Sequence, residues 1–245
     1  GAAFVTIFGL VLMEVGLRII GKPCVGNVVV HELGVAEFSD ELGWNYKPNS
    51  EAMQKFGQPP RELKVAFEKH GARVATSTVN LDPKQPTLLL IGGSITMGHG
   101  VAAEETFAHY LANPPVNGMQ VANFGLQGGG TDQALVQLRK QLKIFNVKAV
   151  IYTFICDHLE RNRVGDRRLL QPHAPFPGSK PTFEIDGDSV EQVVFPERFD
   201  GSYMRLPAML KMLWLHMGPM PTDDLTAALI RQMKKETEAA GAQFV

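Results

Sequence analysis

The stretch TLLLIGGSITMGHG, residues 87–100, decides the fold. Its first half is the nearly continuous apolar run that a parallel strand shows when helices cover both faces of its sheet. The run stops at Gly92 and Gly93, and Ser94 follows. Because glycine permits a tight turn, Ser94 is either a nucleophile held at the end of a strand or a hydroxyl in a turn.

Short strands and helices continue to alternate downstream. MQVANF (residues 119–124) and KAVIYTFI (148–155) have the β-branched and aromatic content of two further strands. Between them, Thr131 and Asp132 are placed to cap a helix. Four apolar residues recur on one face of that helix: Leu135, Leu138, Leu142 and Phe145. Strands alternating with helices predict an α/β protein with a parallel sheet.

Composition sets further bounds on the function. The 245 residues are 44% hydrophobic and 20% charged, which is ordinary for a globular protein with one large domain. The formal net charge of -1 gives no bulk attraction for nucleic acid, so no nucleic-acid partner is expected. The two cysteines, Cys24 and Cys156, lack metal-ligand spacing, and neither a cofactor nor a metal is implied.

Residues 1–21 predict a single transmembrane anchor, with membrane lipid as its partner. The apolar segment AAFVTIFGLVLMEVGLRII just reaches the roughly 20 residues that span a bilayer. Glu14 and Arg18, four residues apart, can pair on one helical face. A buried soluble helix and a cleaved signal peptide are the alternatives. Arg18 and Lys22, which follow the apolar run, favour a cytoplasmic location for that end by the positive-inside rule.

The rest of the chain divides into two parts. Residues 22–86 are irregular in pattern and are expected to form a lead-in that packs on the main domain, residues 87–245. Within that domain, residues 163–199 are a polar, proline-containing insertion, and a loop of that length usually carries a function or covers a site. The final AAGAQFV indicates a helix end followed by the first residues of a strand, so we expect the α/β domain to continue beyond Val245.

Three strand ends carry the residues that are candidates for chemistry: GGS at 92–94, NFGLQGGGTDQ at 123–133 and FICDHLERN at 154–162. In open α/β sheets, reactive groups gather beyond the carboxyl ends of the strands. In order and spacing, the three segments resemble the SGNH (GDSL-type) hydrolase family over roughly residues 87–162 and the closing helices. The resemblance implies a flavodoxin-like, three-layer α/β/α fold. The anchor and the LGW…P lead-in are similar to those of membrane-anchored bacterial members.

The same resemblance implies roles for individual residues. Ser94 would be the nucleophile, and Gly128 would donate a backbone N–H to the oxyanion hole. Cys156 occupies the position of the family's second oxyanion donor, an asparagine, and a thiol is a poorer donor than an amide. Asp157 would support the Ser94 loop, and His158 is a candidate substitute base. The family's usual base, in an Asp-x-x-His motif, is absent from these 245 residues and is expected just after them.

Other charged residues near these segments are open to two interpretations. Gly93 replaces the aspartate of the family's first motif, which is a mild change because that side chain is not the base. His99 is expected to be a solvated turn residue. A run of arginines is expected to form either a solvated face or a contact for an anionic glycan or phosphate: Arg161, Arg163, Arg167 and Arg168.

Two functions follow, and they belong to different classes. The first is a serine esterase or acyltransferase at the bacterial inner membrane, with its soluble domain in the periplasm, acting on O-acyl esters such as those of acetylated cell-surface polysaccharide. The second is a catalytically inactive SGNH-like accessory subunit of a larger membrane complex, which the cysteine at position 156 favours. A nucleotide-binding domain is disfavoured because the glycine-rich loop lacks a P-loop lysine.

Overall fold

A four-stranded parallel sheet forms the centre of the protein. The computed structural model describes residues 1–21, 34–171, 176–199, 204–217 and 224–245, so Lys22 and Cys24 lie outside the described residues. The strands of the sheet are β6 (Thr87–Gly92), β7 (Gln120–Gly125), β8 (Val147–Thr153) and β11 (Gln243–Phe244), in the order β7-β6-β8-β11. All three pairings are parallel, as predicted.

Helices cover both faces of this sheet. Successive side chains of a strand point to opposite faces, so Leu88 and Leu90 pack with α3 (Phe107–Ala112). Leu89 and Ile91 pack on the other face, with α4 (Thr131–Leu142) and α7 (Asp224–Ala239). The apolar run of β6 is therefore buried on both sides, and the mixed α/β class with a parallel sheet is confirmed.

The order of the strands creates a topological switch point. The chain passes from β6 to β7 on one side of β6 and then crosses to β8 on the other side. Gly92 is in register with Gly125 on β7 and with Thr153 on β8. The residues after these three positions therefore emerge together at the carboxyl edge, which is where open α/β sheets bind their ligands.

Residues 34–86 contain five short antiparallel strands. These are the hairpin β1 (Ala36–Ser39) and β2 (Gly43–Tyr46), followed by the sheet of β3 (Ser50–Phe56), β4 (Arg61–Phe67) and β5 (Arg73–Val74). Trp44, Tyr46 and Phe67 share an apolar cluster with Met97 and Leu126 of the α/β domain. The β1–β2 hairpin thus packs at the carboxyl edge of the central sheet.

The segment predicted as a loop insertion contains regular structure. The helix α5 (Asp157–Arg161) precedes it, and the hairpin of β9 (Thr182–Asp186) and β10 (Ser189–Val194) lies inside it. Phe183 and Val190 of this hairpin join the same core cluster as α4 and α7. The hairpin turns at Gly187, whose φ of +57° is readily adopted by glycine.

The N-terminal helix α1 (Ala2–Ile19) is the one described helix that is long and apolar enough to cross a membrane. Its mean hydropathy is 1.9, and none of its side chains is buried. A signal sequence has the same properties. The predicted pair forms, with Arg18 Nε donating to Glu14 Oε1 at 2.7 Å. A second apolar helix, α6 (Arg205–Met217), contacts α1.

Candidate functional site

The loops that follow β6, β7 and β8 are in contact at the carboxyl edge. They are residues 92–94, the glycine loop (residues 126–130) and residues 154–161. The Leu126 N–H donates to the Gly92 carbonyl at 2.9 Å. A Cβ atom added to Gly93 would lie 3.7 Å from the Gly129 carbonyl oxygen and 2.9 Å from Nε2 of His158. Three segments that are distant in sequence therefore meet around residue 93.

Ser94 is the first residue of a short helix, α2 (Ser94–Met97), and its side chain is half-buried. The helix ends at Gly98, which has a φ of +82°. The Ser94 carbonyl accepts the N–H groups of Gly98 and His99, each at 3.0 Å. A side chain on Gly92 would overlap Thr96 Oγ1, so the turn into α2 requires glycine there. The hydroxyl of Ser94 is thus placed at the edge of the sheet rather than in the packed interior.

The glycine loop is held by the β1–β2 hairpin. Trp44 Nε1 donates to the Gln127 carbonyl at 2.9 Å, and the Gln127 N–H donates to the Tyr46 hydroxyl at 3.0 Å. Gly128 has a φ of +69°, and the ring of Phe176 lies where its side chain would be. Phe176 in turn stacks on Trp44 with ring centroids 4.2 Å apart. The hairpin therefore determines the conformation of the loop predicted to carry the oxyanion donor.

A buried polar network supports the start of α4 beneath this loop. Lys180 Nζ donates to the carboxylate of Asp132, and both side chains are buried. Asn162 Oδ1 accepts the Thr131 N–H at 2.9 Å, while its Nδ2 donates to Thr226 Oγ1 at 2.7 Å. Thr131 and Asp132, expected as caps, instead lie in the first turn of α4. Asn162, which follows α5, accepts the backbone N–H that is unpaired at that end of the helix.

Cys156 and Asp157 lie on the exposed side of the third loop. Cys156 is a free, exposed cysteine at the start of α5. Asp157 pairs with Arg161 at 2.9 Å, and the same guanidinium donates to the Gly129 carbonyl at 3.0 Å. Asp157 thus supports the glycine loop by way of Arg161. The sequence predicts instead that it supports the Ser94 loop.

His158 is buried directly behind Gly93. Its Nδ1 lies 2.8 Å from the Tyr152 hydroxyl, whose own proton goes to Thr131 Oγ1, also at 2.8 Å. Nδ1 therefore carries the imidazole proton, and Nε2 is an unprotonated nitrogen without a hydrogen-bond partner. Burial, aided by the charge of Arg161, lowers the pKa of His158 to about 4. The ring is neutral at pH 7.

No histidine side chain hydrogen-bonds to Ser94 within the part of the chain that the structure describes. His158 Nε2 faces Gly93 and is closed off from solvent. His99, expected as a solvated turn residue, is exposed, and its ring lies edge-on against that of Phe56 with centroids 4.8 Å apart. Partial burial lowers the pKa of His99. Neither histidine is placed as a base for the serine.

Three arginines of the run, Arg161, Arg167 and Arg168, are buried, and Arg163 is half-buried. Arg168 pairs with Asp166 at 3.0 Å and lies over the ring of Phe199. Arg167 lies over the ring of Phe176, 5.7 Å from its centroid, and burial lowers its pKa to about 10. The run was expected to form a solvated face or an anion contact, and the structure corrects the first of these. The guanidinium groups of Arg167 and Arg168 can be buried behind the site because each lies over an aromatic ring and Asp166 pairs with Arg168.

Two cavities lie away from the serine. One, of about 580 Å³, lies between residues 162–166 and the β9–β10 hairpin, and the other, of about 460 Å³, lies between α3 and β7. Ser94 lines neither of them. Among the described residues, no group of three or more histidine, cysteine, aspartate or glutamate side chains is placed to hold a metal ion.

Comparison with known proteins gives a fold likeness only. No protein-family model matches the chain, and no curated protein sequence matches it. Among solved structures it is similar to AlinE4, described as an SGNH-hydrolase family esterase, with 14% identity and a TM-score of 0.27, over 66% of this chain and 75% of that chain. Two mutants of AlinE4 match with 16% and 13% identity and TM-scores of 0.26 and 0.27, over the same shares of both chains. Likeness at this level carries no argument about activity, which depends on the site itself.

Proposed function

We propose that the chain is an SGNH-like serine esterase or acyltransferase that acts on O-acyl esters. The supporting observation is the position of Ser94: its half-buried side chain follows the strand at the switch point of the sheet, at the start of a helix and directly after Gly93, which the glycine loop approaches. Nucleophilic residues of α/β enzymes occupy this kind of position. The acetylated cell-surface polysaccharide inferred from the family resemblance is the proposed substrate class.

The proposed reaction has two steps. Ser94 Oγ attacks the acyl carbonyl carbon, its proton passes to a base, and the backbone N–H groups of Ser94 and Gly128 stabilise the oxyanion. The alcohol leaves with a proton, and water or an acceptor hydroxyl then attacks the acyl-enzyme. Cys156 at the position of the second donor would weaken the oxyanion hole, since loss of one donor typically costs about 100- to 1,000-fold in rate.

The base in this proposal is not His158, because its Nε2 faces Gly93 and makes no hydrogen bond to the serine. We place the base after β11, as the family resemblance implies. β11 is parallel to β8, and the Val245 N–H donates to the Val150 carbonyl at 2.9 Å. Residues that follow Val245 would therefore emerge at the same edge as Ser94.

The proposed location is the bacterial inner membrane, with α1 as the anchor and the α/β domain in the periplasm. The periplasmic side is taken from the family resemblance, whereas Arg18 and Lys22 alone favour the opposite orientation by the positive-inside rule. The length of α1, its mean hydropathy of 1.9 and the absence of buried side chains from it support the anchor. Alkaline carbonate treatment of membranes tests the anchor. A chain that spans the bilayer stays in the membrane pellet, and release of the chain into the supernatant contradicts the proposal.

One observation favours the second function, an inactive accessory subunit. The buried histidine behind Gly93 is uncharged and makes no hydrogen bond to Ser94, so it does not activate this hydroxyl. Labelling of the full-length protein with a fluorophosphonate decides between the two. The esterase proposal expects a covalent adduct on Ser94 that Ser94→Ala abolishes and that Ser189→Ala, a control on the β9–β10 hairpin, retains. Absence of the adduct from the folded protein would support the accessory role.

A further inference from the structure

Helix α6 is apolar on two opposite faces. One face is buried, and its residues Ala208 and Leu215 pack with Val164 and Leu169 of the α/β domain. The opposite face, here called the outer face, consists of four exposed side chains: Leu210, Leu213, Trp214 and Met217. A helix that lies on a soluble protein normally presents polar residues on the side away from the core. The outer face of α6 therefore needs an apolar or interfacial environment.

The ionisable residues of α6 fit a particular environment. They are Arg205, Lys211 and His216, and the helix contains no aspartate or glutamate. Trp214 is 61% exposed, and the guanidinium of Arg163 lies over its ring, 5.4 Å from the centroid. Tryptophan beside cationic side chains is typical of helices that lie in the headgroup region of a bilayer.

Helix α6 is connected directly to α1. Glu14 Oε1 accepts the Arg205 N–H at 2.9 Å, and Glu14 Oε2 accepts the Leu206 N–H at 2.7 Å. The carboxylate of α1 thus caps the first turn of α6, where the helix dipole favours a negative charge. Because Glu14 lies five residues before the end of α1 at Ile19, this cap holds α6 beside the last turns of the apolar helix.

We propose that α6 is an interfacial helix whose outer face lies in the lipid headgroup region of the membrane that α1 enters. The proposal rests on α1 as a membrane span, and it is independent of any activity at Ser94. A helix held in the bilayer plane in this way would fix the orientation of the α/β domain, because its opposite face is packed against that domain.

The two tryptophans of the chain allow a direct test. Trp44 is 3% exposed, and Trp214 is the exposed one. The full-length protein is reconstituted at low protein-to-lipid ratio in phosphatidylcholine–phosphatidylglycerol vesicles that contain phospholipids brominated either near the ester or near the end of the acyl chain. The Trp214 emission is the difference between the emission of the native protein and that of Trp214→Phe. We expect lipids brominated near the ester to quench it more strongly than lipids brominated near the chain end. Aqueous iodide should quench it little.

A matched control moves the reporter to another surface. Tyr110 is 67% exposed and lies on α3, which packs on β7. In the Trp214→Phe protein, Tyr110→Trp should be quenched by iodide and not by brominated lipid. Carbonate extraction of the same vesicles reports separately on α1. If the chain stays in the bilayer while iodide quenches Trp214 and brominated lipid does not, the outer face is not at the membrane and the proposal is wrong.

Two further outcomes would also overturn the proposal. Stronger quenching by lipid brominated near the chain end would place α6 in the hydrocarbon core rather than at the interface. Protection of Trp214 from both quenchers, together with chemical cross-linking of two chains, would show that a second copy covers the outer face.

Discussion

Acidification should destabilise the folded protein in part through His158. Burial and the neighbouring Arg161 lower the pKa of this imidazole from 6.5 to about 4. Between these two values the unfolded chain binds a proton at this position that the folded chain does not bind, so the free energy of unfolding falls as the pH falls. At about 1.36 kcal/mol per pKa unit, the loss relative to pH 7 is about 2 kcal/mol at pH 5 and about 3 kcal/mol at pH 4. Below about pH 3 this contribution is constant.

Urea denaturation at pH 7, 6 and 5 in one detergent measures this contribution. His158→Gln lowers stability at pH 7 because the contact with Tyr152 is lost, but the readout is the change with pH. We expect the native protein to lose about 2 kcal/mol more than His158→Gln between pH 7 and pH 5. His216→Gln, at an exposed histidine, is the matched control and should follow the native protein. Equal pH dependence in the native and His158→Gln proteins would refute the placement of a neutral, buried imidazole behind the site.

Three substitutions test the surroundings of the site by urea denaturation. Lys180→Met leaves the buried carboxylate of Asp132 without its cation and should lower the free energy of unfolding by about 3–5 kcal/mol. Adding Asp132→Asn should restore part of this loss, and no recovery would contradict the pairing. Gly128→Ala combines a positive φ with overlap on Phe176 and should cost about 1–3 kcal/mol; an unchanged midpoint would show that the ring moves away freely. Gly93 has an ordinary φ, but the Cβ of Gly93→Ala would lie 2.9 Å from Nε2 of His158. We expect Gly93→Ala to lower the free energy of unfolding by less than Gly128→Ala does, and we expect this loss to disappear when His158 is also replaced by a smaller residue.

The central sheet could be predicted because its signal is local. The apolar run that ends at Ile91 specifies a strand buried on both faces, and Leu135 and Leu138 specify the buried face of α4. The β9–β10 hairpin had an equally local signal in the sequence: the dipeptide Gly187-Asp188 lies between two alternating segments. The length of the proline-containing stretch around it led to the prediction of a loop.

The buried polar network could not be predicted in the same way. Lys180 and Asp132 are 48 positions apart, and Asn162 reaches the start of α4 from 31 residues away. A charged side chain is normally expected at the surface, and only the tertiary fold shows which partner compensates its burial. The same reason explains the arginine run, because Arg168 is buried only where Asp166 and the ring of Phe199 receive it.

Gly93 and His158 are close to each other, which affects the comparison suggested by the SGNH resemblance, in which glycine at position 93 replaces an aspartate. Taken alone, glycine in place of aspartate removes a side chain that does no chemistry, and the change is mild. In the structure, the space that an aspartate Cβ would need lies 2.9 Å from His158 Nε2. The imidazole fills that space and is fixed there by Tyr152. An aspartate at position 93 would therefore require the imidazole at position 158 to shift or to be replaced by a smaller side chain, so the neutral histidine behind the Ser94 loop and the glycine in front of it form one arrangement.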